Sequence, residues 1–541
     1  MMSIQARSTT QASTVGRTPC RRRPHPGRRF RRPIRLTVAL IFALVLPACA
    51  SQGTTNSSAD GTTLTIAINA APLSLDPSKA SAGQLAVGLN LSYEPLIRAK
   101  SDGSYQPGLA SSWGYLGTGN TRFQLKLREN VTFSDGSAVD ASAVKATLEY
   151  YLRQKGPLAF YLYGITSIDT PAADTVVINL DKPNPILPTI LSQTTNYGYV
   201  ISSTGLRNPG RLSTESFGAG AYILDPSMTV AGSHYTYVKN TKYWNPGSQH
   251  YERVVVKVVP DPNSAIQALK AGQVNILLSA PLTYVDQARA SGFEVGSGLP
   301  NVVAVYLMDR SGEISPALAR LEVRQALNYA TDRAGIAKAL GINIYTPTDQ
   351  IVAKGATGYD PTLENSYTYD PSKAKDLLTK AGYPDGLNLT ILFWSNDVYP
   401  TVAQTIAEQW KQVGVNVTLK DDGSNVSQFV KDYSSGEYPA LVFQLSGDAF
   451  PSALQNFALQ SSAFNPFHTA APGIGRAFDA LATAQQNQLD PLSKALNRAV
   501  SEQAWFVPVV SHDLYIFGNG IKNLGGWSTT GAFDVLDWQP Q

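Results

Sequence analysis

Thiols are nearly absent from this 541-residue chain, which has two cysteines, Cys20 and Cys49. A disulfide framework or a cysteine-ligated metal is therefore not expected in the folded body. Histidine is almost as scarce. The five present, His25, His234, His250, His468 and His512, include no pair at helical metal-ligand spacing, so neither zinc nor haem is expected. Charged residues make up only 16% of the chain. No apolar run reaches the roughly 20 residues of a membrane-spanning helix. There is no Gly-x-Ser-x-Gly elbow, no phosphate-binding glycine loop and no internal repeat. Ser-x-x-Lys occurs at Ser142–Lys145 and Ser372–Lys375, but without the Lys-Thr-Gly element that penicillin-binding enzymes also need. Both lysines are read as solvated positions on amphipathic helices. A body of this length without staples needs large hydrophobic cores and is expected to divide into two or more lobes.

What is present begins at the amino terminus. Ten arginines (Arg7, Arg17, Arg21, Arg22, Arg23, Arg28, Arg29, Arg31, Arg32 and Arg35) and no acidic residue precede an apolar run from Leu36 to Ala48, the pattern of an export signal. Leu46-Pro47-Ala48-Cys49 resembles the lipobox of bacterial lipoproteins, which implies that Cys49 is diacylated and becomes the first mature residue. Ser51 to Thr63 is polar and suits a flexible spacer. The formal charge of +4 belongs largely to the signal; without its ten arginines the chain has 34 basic and 40 acidic residues, a net charge of −6. Nucleic-acid binding is therefore not expected.

Along the body, Thr63 to Asn69 alternates and reads as a half-buried strand. Leu75-Asp76-Pro77 makes a turn, and Asp102-Gly103 a hairpin turn. Phe123, Leu125 and Leu127 alternate along a strand. Asp140 caps a helix with Val144, Leu148 and Tyr151 on one stripe. Tyr251–Val259 is read as a strand, Asn263–Lys270 as a helix and Gly272–Leu278 as another strand. From Asn301 a second lobe is expected, with Val302–Leu307 as its first strand and Val323, Ala326, Leu327 and Ala330 striping a helix. Asp370 caps a helix with Pro371 in its first turn and Gly382 after its end. Leu387–Phe393 is a strand, Thr401–Val413 a helix, and Val415–Leu419 a strand. A helix bearing Leu492, Leu496 and Val500 leads to Trp505–Val509.

In this order, Leu-Asp-Pro at 75–77, Tyr93-Glu94-Pro95-Leu96, Asp102-Gly103, Pro107-Gly108-Leu109-Ala110, Trp113, Phe123-x-Leu125-x-Leu127-Arg128 and Phe133-x-Asp135-Gly136 resemble the family 5 extracellular solute-binding proteins of ABC transporters, the oligopeptide, dipeptide and nickel binders. Phe217-Gly218-Ala219-Gly220-Ala221-Tyr222 resembles the family's Gly-Thr-Gly-Pro-Tyr loop, keeping Gly218 and Gly220 for a tight backbone turn. Val323 to Arg333 resembles its signature helix, and the Tyr369-Asp370-Pro371 start is shared too. The resemblance implies an α/β, two-lobed periplasmic-binding-protein-like fold of type II, cluster C, with an extra subdomain in the first lobe. The expected divisions are a signal peptide at 1–48, an anchor and spacer at 49–63, first-lobe segments at 64–88 and 191–300 around the extra subdomain at 89–190, a second lobe at 301–507, and a return to the first lobe at 508–541.

The resemblance also implies a function without catalysis or cofactor: a monomeric, lipid-anchored receptor on the outer face of the membrane. It would hold a short peptide in the interlobe cleft and deliver it to an ABC permease with its ATPase subunits. Peptide-binding relatives pair an aspartate of a Trp-x-x-Asp element with the peptide ammonium. Asp448 matches that aspartate, while Leu445 stands in place of the tryptophan. Trp394, Tyr399 and Phe450 are candidate pocket aromatics, and Glu94 and Asp76 fall near the family's cleft by position. Alternatives are the same role for a sugar or nickel chelate, a cell-wall peptide hydrolase acting by turnover, or a chaperone or signalling receptor without a transporter.

Overall fold

A computed structural model describes residues 62–541 except 447–450, 526–532, and shorter stretches at 82, 101–102, 155, 157, 279, 342–343, 396–397 and within 452–464. Cys49, Asp102, Asp448 and Phe450 lie outside the described residues. The backbone is organised by one eleven-stranded mixed sheet. In chain order its strands are β1 (Thr63–Ile68), β2 (Tyr222–Leu224), β3 (His234–Lys239), β4 (Arg253–Val258), β5 (Ile276–Leu277), β6 (Glu294–Leu307), β7 (Thr346–Pro347), β8 (Leu387–Phe393), β9 (Val415–Asp421), β10 (Ala440–Ser446) and β11 (Phe506–Gly518). Across the sheet the order is β9-β8-β10-β6-β11-β5-β1-β4-β3-β2, with β7 also on β11.

Two long antiparallel strands, β6 and β11, join the halves. Residues 294–298 of β6 pair with 514–518 of β11 on the β5 side, and the pairing resumes at Asn301 with His512 after an irregularity between Gly298 and Asn301. From Asn301 to Leu307, β6 pairs with β10 on its other edge. The strand expected over Val302–Leu307 therefore begins earlier, at Glu294, because its first residues find a partner in the return strand.

The core follows the sheet. Leu64, Ile66 and Ile68 of β1 are fully buried, as alternation requires. Ala67 on the opposite face is equally buried, beneath Ala265, Ile266 and Leu269 of the helix Pro262–Lys270. The strand is therefore covered on both faces rather than one, because it has parallel neighbours on both edges and a crossover helix above it. The strand expected over Gly272–Leu278 shrinks to Ile276–Leu277. Gly272, at φ +68°, ends the preceding helix in the left-handed region, and Asn275 bonds Thr65 of β1 twice, its backbone N–H donating to Thr65 O at 2.7 Å and its side-chain Oδ1 accepting the Thr65 N–H at 2.9 Å where a ladder carbonyl would otherwise stand.

A separate four-stranded sheet in the order 110–115, 122–127, 175–180, 165–172 carries Phe123, Leu125 and Leu127 on its buried face. The helix Ala141–Gln154 covers it with Val144, Leu148 and Tyr151; Asp140 Oδ1 accepts from the Ala143 N–H at 2.9 Å, the expected cap. Across the main sheet, Asp370 caps Pro371–Lys380 through Lys373 N–H at 2.9 Å. No described helix is long and apolar enough to cross a membrane.

Candidate functional site

β10 ends where the pairing of the two long strands is interrupted, while β8 stops earlier, at Phe393 opposite Val442 of β10. β10 runs parallel to β8 and antiparallel to β6, so its last described residue, Ser446, stands opposite Asn301. Leu445 is 3% exposed and packs into the core.

Just past β8, Trp394 begins an aromatic wall. Its ring stacks on Tyr399 (6.0 Å between centroids, 27° between planes) and on Phe429 of the helix Val426–Ser434 (6.3 Å, 24°). Phe443 of β10 continues the wall, 5.6 Å from Phe429 and 6.3 Å from Tyr399. Tyr306 of β6 adds an edge-on contact to Phe443 at 6.1 Å. Such pairs contribute about 0.5–1.5 kcal/mol each beyond buried area, so the wall is rigid before any ligand arrives. Tyr399 is buried and Trp394 half-buried. The structure therefore brings together two of the aromatics expected to line a pocket, and adds Phe429, Phe443 and Tyr306, which strand and helix periodicity alone mark only as core.

Two polar atoms in this wall are buried without a hydrogen-bond partner among the described residues, the Trp394 indole Nε1 and the Tyr306 hydroxyl. Burial pushes the Tyr306 hydroxyl well above the usual tyrosine range, so it stays protonated. Beside the wall, Asp422 donates its backbone N–H to Phe393 O at 3.0 Å. Burial first, and then the facing Asp432 carboxyl, raise the Asp422 pKa. Among the described residues no group of three or more potential ligands could hold a metal ion.

Glu94 and Asp76 occupy different surroundings. Glu94, 1% exposed, is held by both arms of Arg98 (2.9 Å to Oε1, 2.7 Å to Oε2) and by the Tyr243 hydroxyl at 2.9 Å. Asp76 accepts from Ser78 N–H at 2.9 Å, Ser78 Oγ at 2.8 Å and the Tyr150 hydroxyl at 2.7 Å. Both carboxylates already have strong internal donors. Gly218 and Gly220 also serve packing, since neither adopts positive φ. A Cβ on Gly218 would sit 2.3 Å from Ser92 O, and one on Gly220 2.3 Å from Ser92 C. Glycine is required here by the close approach of the Ser92–Tyr93 backbone, at φ values that any residue can adopt.

The sequence profile described as bacterial extracellular solute-binding proteins, family 5 middle, matches residues 104–466, a span that contains the aromatic wall. The chain belongs to this family. Among its family relatives, the glutathione-binding protein GsiB of Escherichia coli K12 is 28% identical over 460 residues, covering 80% of this chain and 86% of GsiB. In fold it is similar to DppA of Helicobacter pylori, solved with the peptide STSA, at a TM-score of 0.71 and 20% identity over 88% of this chain and 98% of that one. NikA of Brucella suis, solved with Fe(III)-EDTA, is similar at a TM-score of 0.72 and 22% identity, over 88% of this chain and 100% of that one. The fold is that of the type II periplasmic binding proteins, and family 5 members are solute-binding components of transporters rather than a class of enzymes.

Proposed function

We propose that this family 5 protein is a lipid-anchored receptor that captures short peptides and hands them, chemically unchanged, to an ABC importer. The observation that carries this reading is the preformed aromatic wall just past the end of β8, where Trp394 and Phe443 stay half-buried over Tyr399 and Phe429. A fixed apolar wall beside a strand end can accept varied side chains while backbone groups hold an extended ligand. Hinge closure around β6 and β11 would bury it and present the closed form to the permease. GsiB and DppA, whose names and ligands are glutathione and a peptide, support this class of solute. In this reading Cys49 bears the lipid, residues 51–63 space the body from the membrane, and residues 301–507 form the second lobe.

Asp448 takes the role of partner to the peptide ammonium. A charge-assisted hydrogen bond contributes about 1.5–3 kcal/mol, so Asp448→Ala should weaken peptides with a free amino terminus about 10- to 150-fold. Amino-acetylated peptides should be almost unaffected. Native mass spectrometry of the chain from Ser51 onward identifies the solute first, and calorimetry on wild type and variant then tests the residue. Equal losses for both peptide forms would remove Asp448 from the site. A retained sugar or metal chelate, as with Fe(III)-EDTA in NikA, would keep the receptor and replace the peptide; turnover of the peptide would sink the receptor reading itself.

A further inference from the structure

A cavity of about 430 Å³ lies on the opposite side of β11 from β10 and is lined by none of Trp394, Tyr399, Phe429 or Phe443. Its walls come from the start of the helix Arg333–Leu340, from β7 and the residues after it, and from the segment Lys354 to Tyr369. The volume falls within the range of small-molecule sites.

The floor is fixed by Arg333. Its guanidinium is buried and pairs with no carboxylate among the described residues. It donates instead to the carbonyls of Pro508 (2.8 Å), Thr348 (3.1 Å) and Tyr367 (2.9 Å), and to Asn328 Oδ1 (2.9 Å). Burial lowers its pKa to about 10, leaving it cationic at neutral pH. One side chain thus ties β11, the β7 loop and the far wall together, and the cavity keeps its shape when empty.

Above that floor, several polar groups are only partly engaged. Asp349 accepts one backbone N–H, from Tyr367 at 3.2 Å, and makes no ion pair among the described residues. Glu364 accepts the Tyr359 hydroxyl, and its pairing with Lys354 is long at 3.9 Å, with that lysine 78% exposed. Tyr369 presents its ring to solvent at 44% exposure. Charges of both signs therefore line the cavity, so a ligand of either net charge would lose water against a like charge. Carboxylate acceptors, an ammonium donor and hydroxyls set beside an exposed aromatic face match a solute that both donates and accepts, has no net charge, and carries a flat C–H face.

We propose that this cavity binds a neutral saccharide of one or two rings, with Asp349 and Glu364 accepting from ring hydroxyls and Tyr369 under the sugar face. The site shares no residue with the aromatic wall, and the proposal stands whichever solute the wall retains.

The test is saturation-transfer NMR with calorimetry on the whole chain from Ser51, using maltose as probe and glucosamine and gluconate as its cationic and anionic counterparts. Millimolar maltose is expected to receive saturation and to bind more tightly than either charged sugar. Tyr369→Ala and Asp349→Asn, an exposed and an isosteric change, should each weaken maltose about tenfold, with the retained wall solute still held. Absence of transfer at millimolar maltose would overturn the proposal, and so would stronger binding of a charged sugar or unchanged affinity in both variants. Displacement of maltose by the wall solute would also overturn it, by placing the sugar in the first site. Trp394→Ala separates the two readings: retention of maltose with loss of peptide supports both sites, while loss of both together refutes a separate saccharide site.

Discussion

Arg98 offers the sharpest energetic test, because its ion pairs are among the few that are buried. Its side chain is 10% exposed, against 1% for Glu94 and 17% for Asp534. Burial alone lowers the guanidinium pKa; Asp534 and then Glu94 outweigh it and hold the value well above the usual arginine range. Arg98→Met keeps the length of the side chain and removes the charge. Two carboxylates, from segments 440 residues apart in sequence (Glu94 and Asp534), then face each other without a cation, and Tyr243 alone still donates to Glu94. Removing one partner of a buried pair costs about 3–5 kcal/mol.

The internal control is Arg211 with Glu215, whose side chains are 51% and 32% exposed. Solvent screens such a pair, so Arg211→Met should cost about 0–1 kcal/mol. Urea unfolding followed by tryptophan fluorescence at pH 7 compares the two. Acidification to about pH 5 should recover part of the Arg98→Met loss, since a carboxyl in the same site can then take a proton in place of the missing cation. Adding Glu94→Gln should do likewise. Similar midpoints for Arg98→Met and Arg211→Met would refute the argument that burial, and not ion pairing as such, sets the magnitude.

Three further outcomes are expected. Gly220→Ala places a methyl 2.3 Å from Ser92 C and 2.5 Å from Leu91 O, all backbone, so a loss of at least about 1–3 kcal/mol is expected; a wild-type unfolding midpoint would refute the close-approach account. Trp394→Phe preserves a ring against Tyr399 and Phe429 and removes the indole N–H, which is unpartnered among the described residues. It should keep stability within about 1 kcal/mol but weaken any solute whose oxygen takes that hydrogen; unchanged affinity would assign the indole nitrogen no part in binding. Hydrogen bonds from Ser227, Ser264 and Thr362 hold the Asp225, Asp261 and Asp360 carboxyls below the usual aspartate range. A depressed folded-state pKa stabilises fully above the unfolded value of about 3.9 and is lost as pH falls through it. Stability should hold from pH 7 to about 5 and decline toward about 3; a flat profile across that lower window would count against these caps.

Local elements were legible because their signals are local. Leu387–Phe393 appears over the very residues its alternation marks, and the caps at Asp140 and Asp370 bond as their spacing indicates. Errors arose where a distant partner intervenes. The early start of β6 depends on β11, more than 200 residues later. The shortened β5 depends on Asn275 being drawn to Thr65. Trp394 and Tyr399 could be named from composition near a strand end, but Phe429 and Tyr306 could not, because periodicity reports only that a side chain is buried and never against which ring.

By itself the sequence determined the periodic elements, the family and the absence of thiol chemistry from the folded body, all of which rest on residue type and short spacing. Tertiary structure alone decided the purposes those residues serve. It turned Glu94 and Asp76 into internally bonded carboxylates, Gly218 and Gly220 into close-approach positions, and Arg333 into the floor of a cavity. The reason is that a polar group's chemistry depends on which donors and acceptors reach it after folding, and those partners come from segments whose proximity only the sheet order establishes.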